Sequence, residues 1–153
     1  MEFWLQQNSD KFQLPVKPSD YTVSVSHKNT VVNVIQVGDV NLIGNTGLRE
    51  ISLKSFFPAK DYNFSNNAGR KQPLTYVEKI ESWRKSGTPI RVIITGTLNM
   101  EATVESFVWG EQDATGDIYY TCNLKEYKKI KTKKATVTIA TVKPTVRATK
   151  PQA

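Results

Sequence analysis

Most of the first 127 residues alternate between apolar and polar positions with the period of two that a pleated strand imposes. Tyr21, Val23, Val25 and His27 alternate with Thr22, Ser24, Ser26 and Lys28, the pattern of a half-buried strand. Lys28-Asn29 reads as a two-residue turn into a strand over Thr30–Val37, and Gly38-Asp39 as a second turn into Val40–Ile43. Gly44 to Gly47 is a loop by composition. Ile51 and Leu53 then alternate with Glu50, Ser52 and Lys54 until Phe56-Phe57-Pro58 ends the run. Three further stretches, Ile90–Thr95, Ala102–Trp109 and Asp117–Tyr127, carry the Val, Ile, Thr, Tyr and Phe that suit a sheet.

One segment switches to helical spacing. Tyr76, Val77, Ile80 and Trp83 fall on a single helical face, and Glu81 and Lys85 stand four apart on the other. Thr75 and Glu78 have the spacing of a capping box, with Gly87 and Pro89 as stop signals, which predicts a helix over about 75–86. The expected fold is therefore mainly β, a sandwich or barrel-like unit over 1–127, with one helix packed on a sheet through Ile80 and Trp83. Residues 59–73, rich in Asn, Gly, Ser and Pro, form a long loop of the kind that usually carries function.

Charge changes the picture at one end only. The chain of 153 residues carries a net +7, yet residues 1–124 sum to −1 and Lys125 to Ala153 to +8. A neutral body argues against a nucleic-acid-binding face on the fold and for no specific nucleic-acid partner. Residues 128–153 read as a basic Lys/Thr/Pro linker or tail, with Ala135–Val142 as a stray strand candidate. The longest apolar runs are a few residues, too short to span a membrane, and Met1 to Gln7 has neither the basic start nor the apolar stretch of a secretory signal. These features suit assembly in a reducing cytoplasm.

Candidate chemistry is sparse. A single cysteine and a single histidine cannot build a disulfide framework or a Cys/His zinc site. His27 sits in an alternating strand, and Cys122, between Tyr120 and Leu124, reads as a buried thiol with no electropositive partner to activate it. Glu111, Asp113 and Gly116 match early positions of a calcium loop, but the acid required at the twelfth position is Cys122. A hairpin loop explains them. No phosphate loop or nucleophile elbow is present. The expectation is a protein that is not an enzyme and has no catalytic, cofactor-binding or metal-binding residues. Phe3, Trp4 and Leu5 at the terminus must be buried either in the chain's own core or against a partner.

Three stretches carry a resemblance. They are Glu50 to Ala59 (EISLKSFFPA), Trp83 to Thr95 (WRKSGTPIRVIIT), and the run from Val104-Glu105-Ser106-Phe107 through Gly116 to Tyr120 and Leu124 to Tyr127. In this order they resemble the XkdP-like tail proteins of PBSX-type prophages, contractile phages and phage-tail-like bacteriocins, over about residues 1–130. The resemblance implies a structural role at the baseplate end of a tail, linking tube, central hub and surrounding baseplate, with wedge, hub and tube proteins as partners. It also implies a component of the virion or bacteriocin particle, present in six copies as in a tube or baseplate ring, or in three if it follows the hub. Members of that family carry a LysM module after the linker. This sequence stops inside the linker, so peptidoglycan binding is not carried over. The competing class is a small cell-wall or carbohydrate-binding module, which would need an exposed groove lined by aromatic residues. Phe3, Trp4, Leu5, the loop 59–73 and the hairpin loop at Asp113 are the expected protein–protein contacts.

Overall fold

Residues 1–132 are described in a computed structural model, and the expectations for 133–153 lie outside the described residues. Strands form at Phe3–Gln7 (β1), Asp10–Gln13 (β2), Tyr21–Ser24 (β3), Thr30–Val34 (β4), Gly38–Leu42 (β5) and Glu50–Phe57 (β6). The helix α1, Pro73–Lys85, follows, and then Ile90–Ile94 (β7), Leu98–Gly110 (β8) and Ile118–Glu126 (β9). Seven strands make one antiparallel sheet in the order β2-β1-β7-β8-β9-β6-β3, while β4 and β5 pair only with each other. The mainly β class with one helix holds. The barrel-like expectation holds only as curvature, since the outer strands β2 and β3 are not hydrogen-bonded to each other.

The sheet curls strongly. A bulge in β8 between Val104 and Ser106 adds local twist, and the two ends of the sheet approach one another. Phe3 on β1 meets Tyr21 on β3 edge-to-face at 5.5 Å between centroids. The segment after β2 bridges the gap: the Leu14 amide donates to the Phe3 carbonyl and the Ser55 hydroxyl to the Val16 carbonyl. The period-two pattern then decides which side chains point inward. Ile51, Leu53 and Phe57 from β6, and Ile118, Tyr120, Cys122 and Leu124 from β9, share one core with Phe3, Leu5, Val92 and Ile94.

Helix α1 closes this core with the face its spacing predicts. Tyr76, Val77, Ile80 and Trp83 are all buried, Ile80 completely. Phe57 stacks between Tyr76 and Tyr120 at 4.9 and 4.4 Å, and Phe12 packs on Trp83 at 5.5 Å. The helix start differs from expectation. It begins at Pro73, two residues earlier than predicted, and no side chain caps it. Proline at the first helical position has no amide to satisfy and presets φ, and the Thr75 amide donates to the Gln72 carbonyl at 3.0 Å, so the helix starts ahead of the Thr75/Glu78 box. At the other end Glu81 pairs with Arg84 at 2.7 Å rather than with Lys85. Gly87 takes φ 68° as the chain leaves the helix. Gln7, a buried polar side chain, secures that end. Its amide donates to the Trp83 and Thr88 carbonyls (3.4 and 2.9 Å) and to the Ser86 hydroxyl (3.0 Å).

Candidate interaction surfaces

The single cysteine and the single histidine lie apart, Cys122 in the core and His27 outside the main sheet. Cys122 is buried, and burial pushes its thiol up to about 12, so thiolate is not available at neutral pH. The Tyr120 hydroxyl is buried nearby with no hydrogen-bond partner among the described residues, and burial raises it well above the ordinary tyrosine value. His27 bridges to Thr46 outside the main sheet. No group of three metal-ligating residues stands together among the described residues, and no helix among them is long and apolar enough to cross a membrane.

The terminal aromatic stretch divides by face. Phe3 and Leu5 point into the core, 3% and 2% exposed, so the chain itself covers them. Strand alternation turns Trp4 outward, half-buried, where its indole N–H donates to Glu2 at 3.0 Å and Lys11 lies 5.4 Å from its ring centre. Asp113 is exposed in the β8–β9 loop and accepts hydrogen bonds from the amide and hydroxyl of Thr115 in the same loop.

The loop between β6 and α1 is tied down by one residue from the start of β9. Asp117 is 2% exposed, and its carboxylate accepts the Ala59 amide at 2.7 Å and the Tyr62 hydroxyl at 2.5 Å. Burial alone would raise this carboxyl. The hydrogen bonds from Tyr62, Ala59 and Thr115 outweigh it and hold the group below the usual carboxylate range. The same bond to the Asp117 carboxylate pushes Tyr62 up to about 12. So anchored, Tyr62 stacks on Phe64 at 5.1 Å and meets Phe56 edge-on at 5.9 Å, while Phe56 lies against Tyr119 at 5.2 Å. Sequence reasoning placed the loop but missed the latch. Tyr62 and Asp117 are 55 residues apart and nothing local links them.

Next to this cluster an open groove of about 520 Å³ runs over the end of the sheet where β6 finishes and β9 begins. Phe56, Val108, Trp109 and Tyr119 line it, with Lys54, Ser55, Glu111 and Gln112 among the polar groups. Val108 and Trp109 are 66% and 45% exposed. Trp109 was expected simply to end a strand, and it does so facing solvent.

The largest departure from expectation lies in residues 25–48. The alternation over Tyr21–Lys28 predicts a half-buried strand, but Thr22 to Ser24 of β3 are exposed and the strand stops at Ser24. The chain then leaves the sheet as a ribbon. At its base the Lys28 amide donates to Asn45 and the Gly47 amide to Ser26. A Cβ at Gly44 would sit 1.8 Å from the Lys28 carbonyl oxygen, so only glycine fits there. The turn falls at residues 35–37, with Gln36 at φ 68° and the Val37 amide donating to Val34, rather than at Gly38-Asp39. Gly38 and Asp39 instead pair with Val34 and Asn33 inside the ribbon. Its register sets Thr30, Val32, Val34, Val40 and Leu42 on one face, and Asn33, Asp39 and Asn41 with Val31 on the other. The Asn33 amide donates to Asp39 across the polar face at 2.7 Å. Among the described residues β4 and β5 pair only with each other, so no further strand extends the ribbon.

No family model matches this chain. Its sequence is 40% identical over 142 residues to the uncharacterized protein YqbP of Bacillus subtilis (strain 168), a match covering 88% of this chain. The chain spans 65% of the length of that relative. Among solved structures, a chain in the virion of a native gene transfer agent particle has a similar fold. The TM-score is 0.52 at 13% identity, over 83% of this chain and 92% of the other. A chain of the anti-feeding prophage baseplate, symmetrised six-fold, aligns with a TM-score of 0.41 at 13% identity, over 83% and 87%.

Proposed function

We propose that this chain is a structural component of a phage-tail-like particle, acting by assembly rather than catalysis. The observation that carries the reading is the shared fold with the gene transfer agent virion chain, which extends over 92% of that chain. The resemblance of Glu50–Ala59, Trp83–Thr95 and Val104–Tyr127 to XkdP-like tail proteins supports it independently. On this reading the chain belongs at the baseplate end of a contractile tail or bacteriocin, joins tube, hub and wedge proteins, and is present in several copies related by cyclic symmetry, six for a tube ring or three at the hub. Residues 1–127 are the assembling unit, and 128–153 the basic linker leading from it. Half-buried Trp4 and exposed Asp113 remain the members of the expected contact set that reach solvent, while Phe3 and Leu5 act through the core that positions them. The test is to delete the gene and image the particles by electron microscopy, then restore it with a labelled chain. Loss of tails or baseplates, with label at the baseplate end on restoration, is expected. Intact particles without the chain would refute the role.

A second reading has one observation in its favour. The groove lined by Phe56, Trp109 and Tyr119 is the exposed aromatic surface that a wall-polymer-binding module would need. Retention of the pure chain on purified cell-wall polymer, lost in Trp109→Ala, would select it.

A further inference from the structure

Strand β2 is an edge of the main sheet and pairs only with β1. The two-residue turn at Asn8-Ser9 decides which backbone groups lie on the open side. Gln7 and Asp10 close the turn, and the Leu14 amide donates to the Phe3 carbonyl, so the amides of Asp10, Phe12 and Leu14 face β1. Those of Lys11 and Gln13 therefore point the other way, and among the described residues neither finds a backbone acceptor.

A cleft of about 260 Å³ opens along this edge, walled by β2, by residues 66–71 and by the start of α1. Asn66 ties the loop to the strand. Its side-chain amide donates to Gln13 Oε1 at 2.6 Å and its backbone amide to the Pro15 carbonyl at 2.7 Å. The Lys71 amide donates to the Tyr76 hydroxyl at 3.1 Å, which holds Lys71 on the wall. Lys11, Lys71 and Lys79 line the cleft against one acid, Asp10, a net of +2 on a body whose residues 1–124 sum to −1. Asp10 is already taken by Lys79 at 2.8 Å. Lys11, 5.4 Å from the Trp4 ring centre, and Lys71 have no acid within ion-pair distance among the described residues. Helix α1 starts two residues after Lys71 with neither a side-chain cap nor an acid in its first turn, so its positive end adds to the same field. The cleft gathers donors and cations and leaves them without acceptors.

We propose that this cleft binds an oxyanion group, either a carboxylate presented by a neighbouring polypeptide or a free phosphate. The oxygens accept from the Lys11 and Gln13 backbone amides and lie between the Lys11 and Lys71 ammonium groups, a charge-assisted donor set suited to such a group. Gln13 Nε2 adds a donor, because the Oε1 of the same side chain is held by Asn66. The volume suits one small anionic group and lies below the range of pockets for drug-sized ligands. This site goes beyond the tail role and does not require it.

The test is to titrate the pure full-length chain at constant ionic strength with inorganic phosphate and, separately, with a hexaglutamate peptide, following the backbone amides by NMR. Saturable shifts at Lys11 and Gln13 are expected. Both Lys11 and Lys71 are exposed, so Lys11→Ala/Lys71→Ala should keep its far-UV circular dichroism while the half-saturation concentration rises at least tenfold. Lys28→Ala/Lys54→Ala removes the same charge at exposed positions elsewhere and should leave it unchanged. Tighter saturation by the peptide would assign the group to a polypeptide, and tighter saturation by phosphate to the free ion. The proposal is overturned by any of three results: no saturable shift with either probe, equal weakening in the two double variants, or the same shifts with sodium chloride in place of the probe.

Discussion

Replacing Trp83 by alanine tests how the helix is held. Trp83 is 6% exposed, packs on Phe12 at 5.5 Å, and stands one helical turn from Ile80, which is fully buried. The substitution removes the indole and leaves a cavity bounded by the sheet, which cannot collapse around it without moving β1 and β2. Large-to-small changes at such sites cost about 3–5 kcal/mol. With a urea dependence of about 2 kcal/mol per molar for a protein of this size, the midpoint should fall by about 2 M. Leu74 is the internal control. It lies on the same helix but is 49% exposed, and Leu74→Ala should cost no more than about 0.5 kcal/mol. The assay is urea unfolding followed by far-UV circular dichroism, which does not depend on the lost tryptophan. A loss below about 1 kcal/mol for Trp83→Ala, or equal losses for the two variants, would show that α1 does not close the core as described.

Three further outcomes follow from single contacts. Gln7→Ala strips the C-terminal end of α1 of its buried donor and should cost about 1–3 kcal/mol in the same unfolding assay. Tyr62, raised to about 12 from an ordinary value near 10, binds its proton more tightly folded than unfolded, so the stability it contributes is complete below pH 10 and is lost as pH rises toward 12. Phenolate absorbance should show Tyr62 titrating late, as buried Tyr120 also does, and Tyr62→Phe should remove the Tyr62 share of that late phase while leaving the rest. Gly44→Ala forces the ribbon base apart and should abolish hydrogen-exchange protection of the Lys28 and Gly47 amides while leaving β9 protected.

Local pattern was sufficient wherever one element meets the common core. Ile51 and Leu53 on β6, the alternate residues of β9, and the Tyr76, Val77, Ile80 and Trp83 face of α1 are buried as their spacing predicts. The reason is that hydrophobic period encodes which side chains share a face. The near-neutral charge of residues 1–124 was equally plain from residue counts. Period says nothing about what covers a face. The first strands β1 and β2 escaped notice because two short segments show too few repeats, and Phe3 and Leu5 proved internal only because the curled sheet brings β1 beside β7. The ribbon shows the limit most clearly. Val32, Val34, Val40 and Leu42 alternate as well as any core strand, yet β4 pairs with β5 alone and the sheet never reaches them. The Asp117–Tyr62 latch and the groove between β6 and β8 likewise join residues more than 50 positions apart. Pairing between distant segments depends on how the whole sheet bends, so these surfaces existed only once the tertiary structure had chosen which strands meet and which are left facing water.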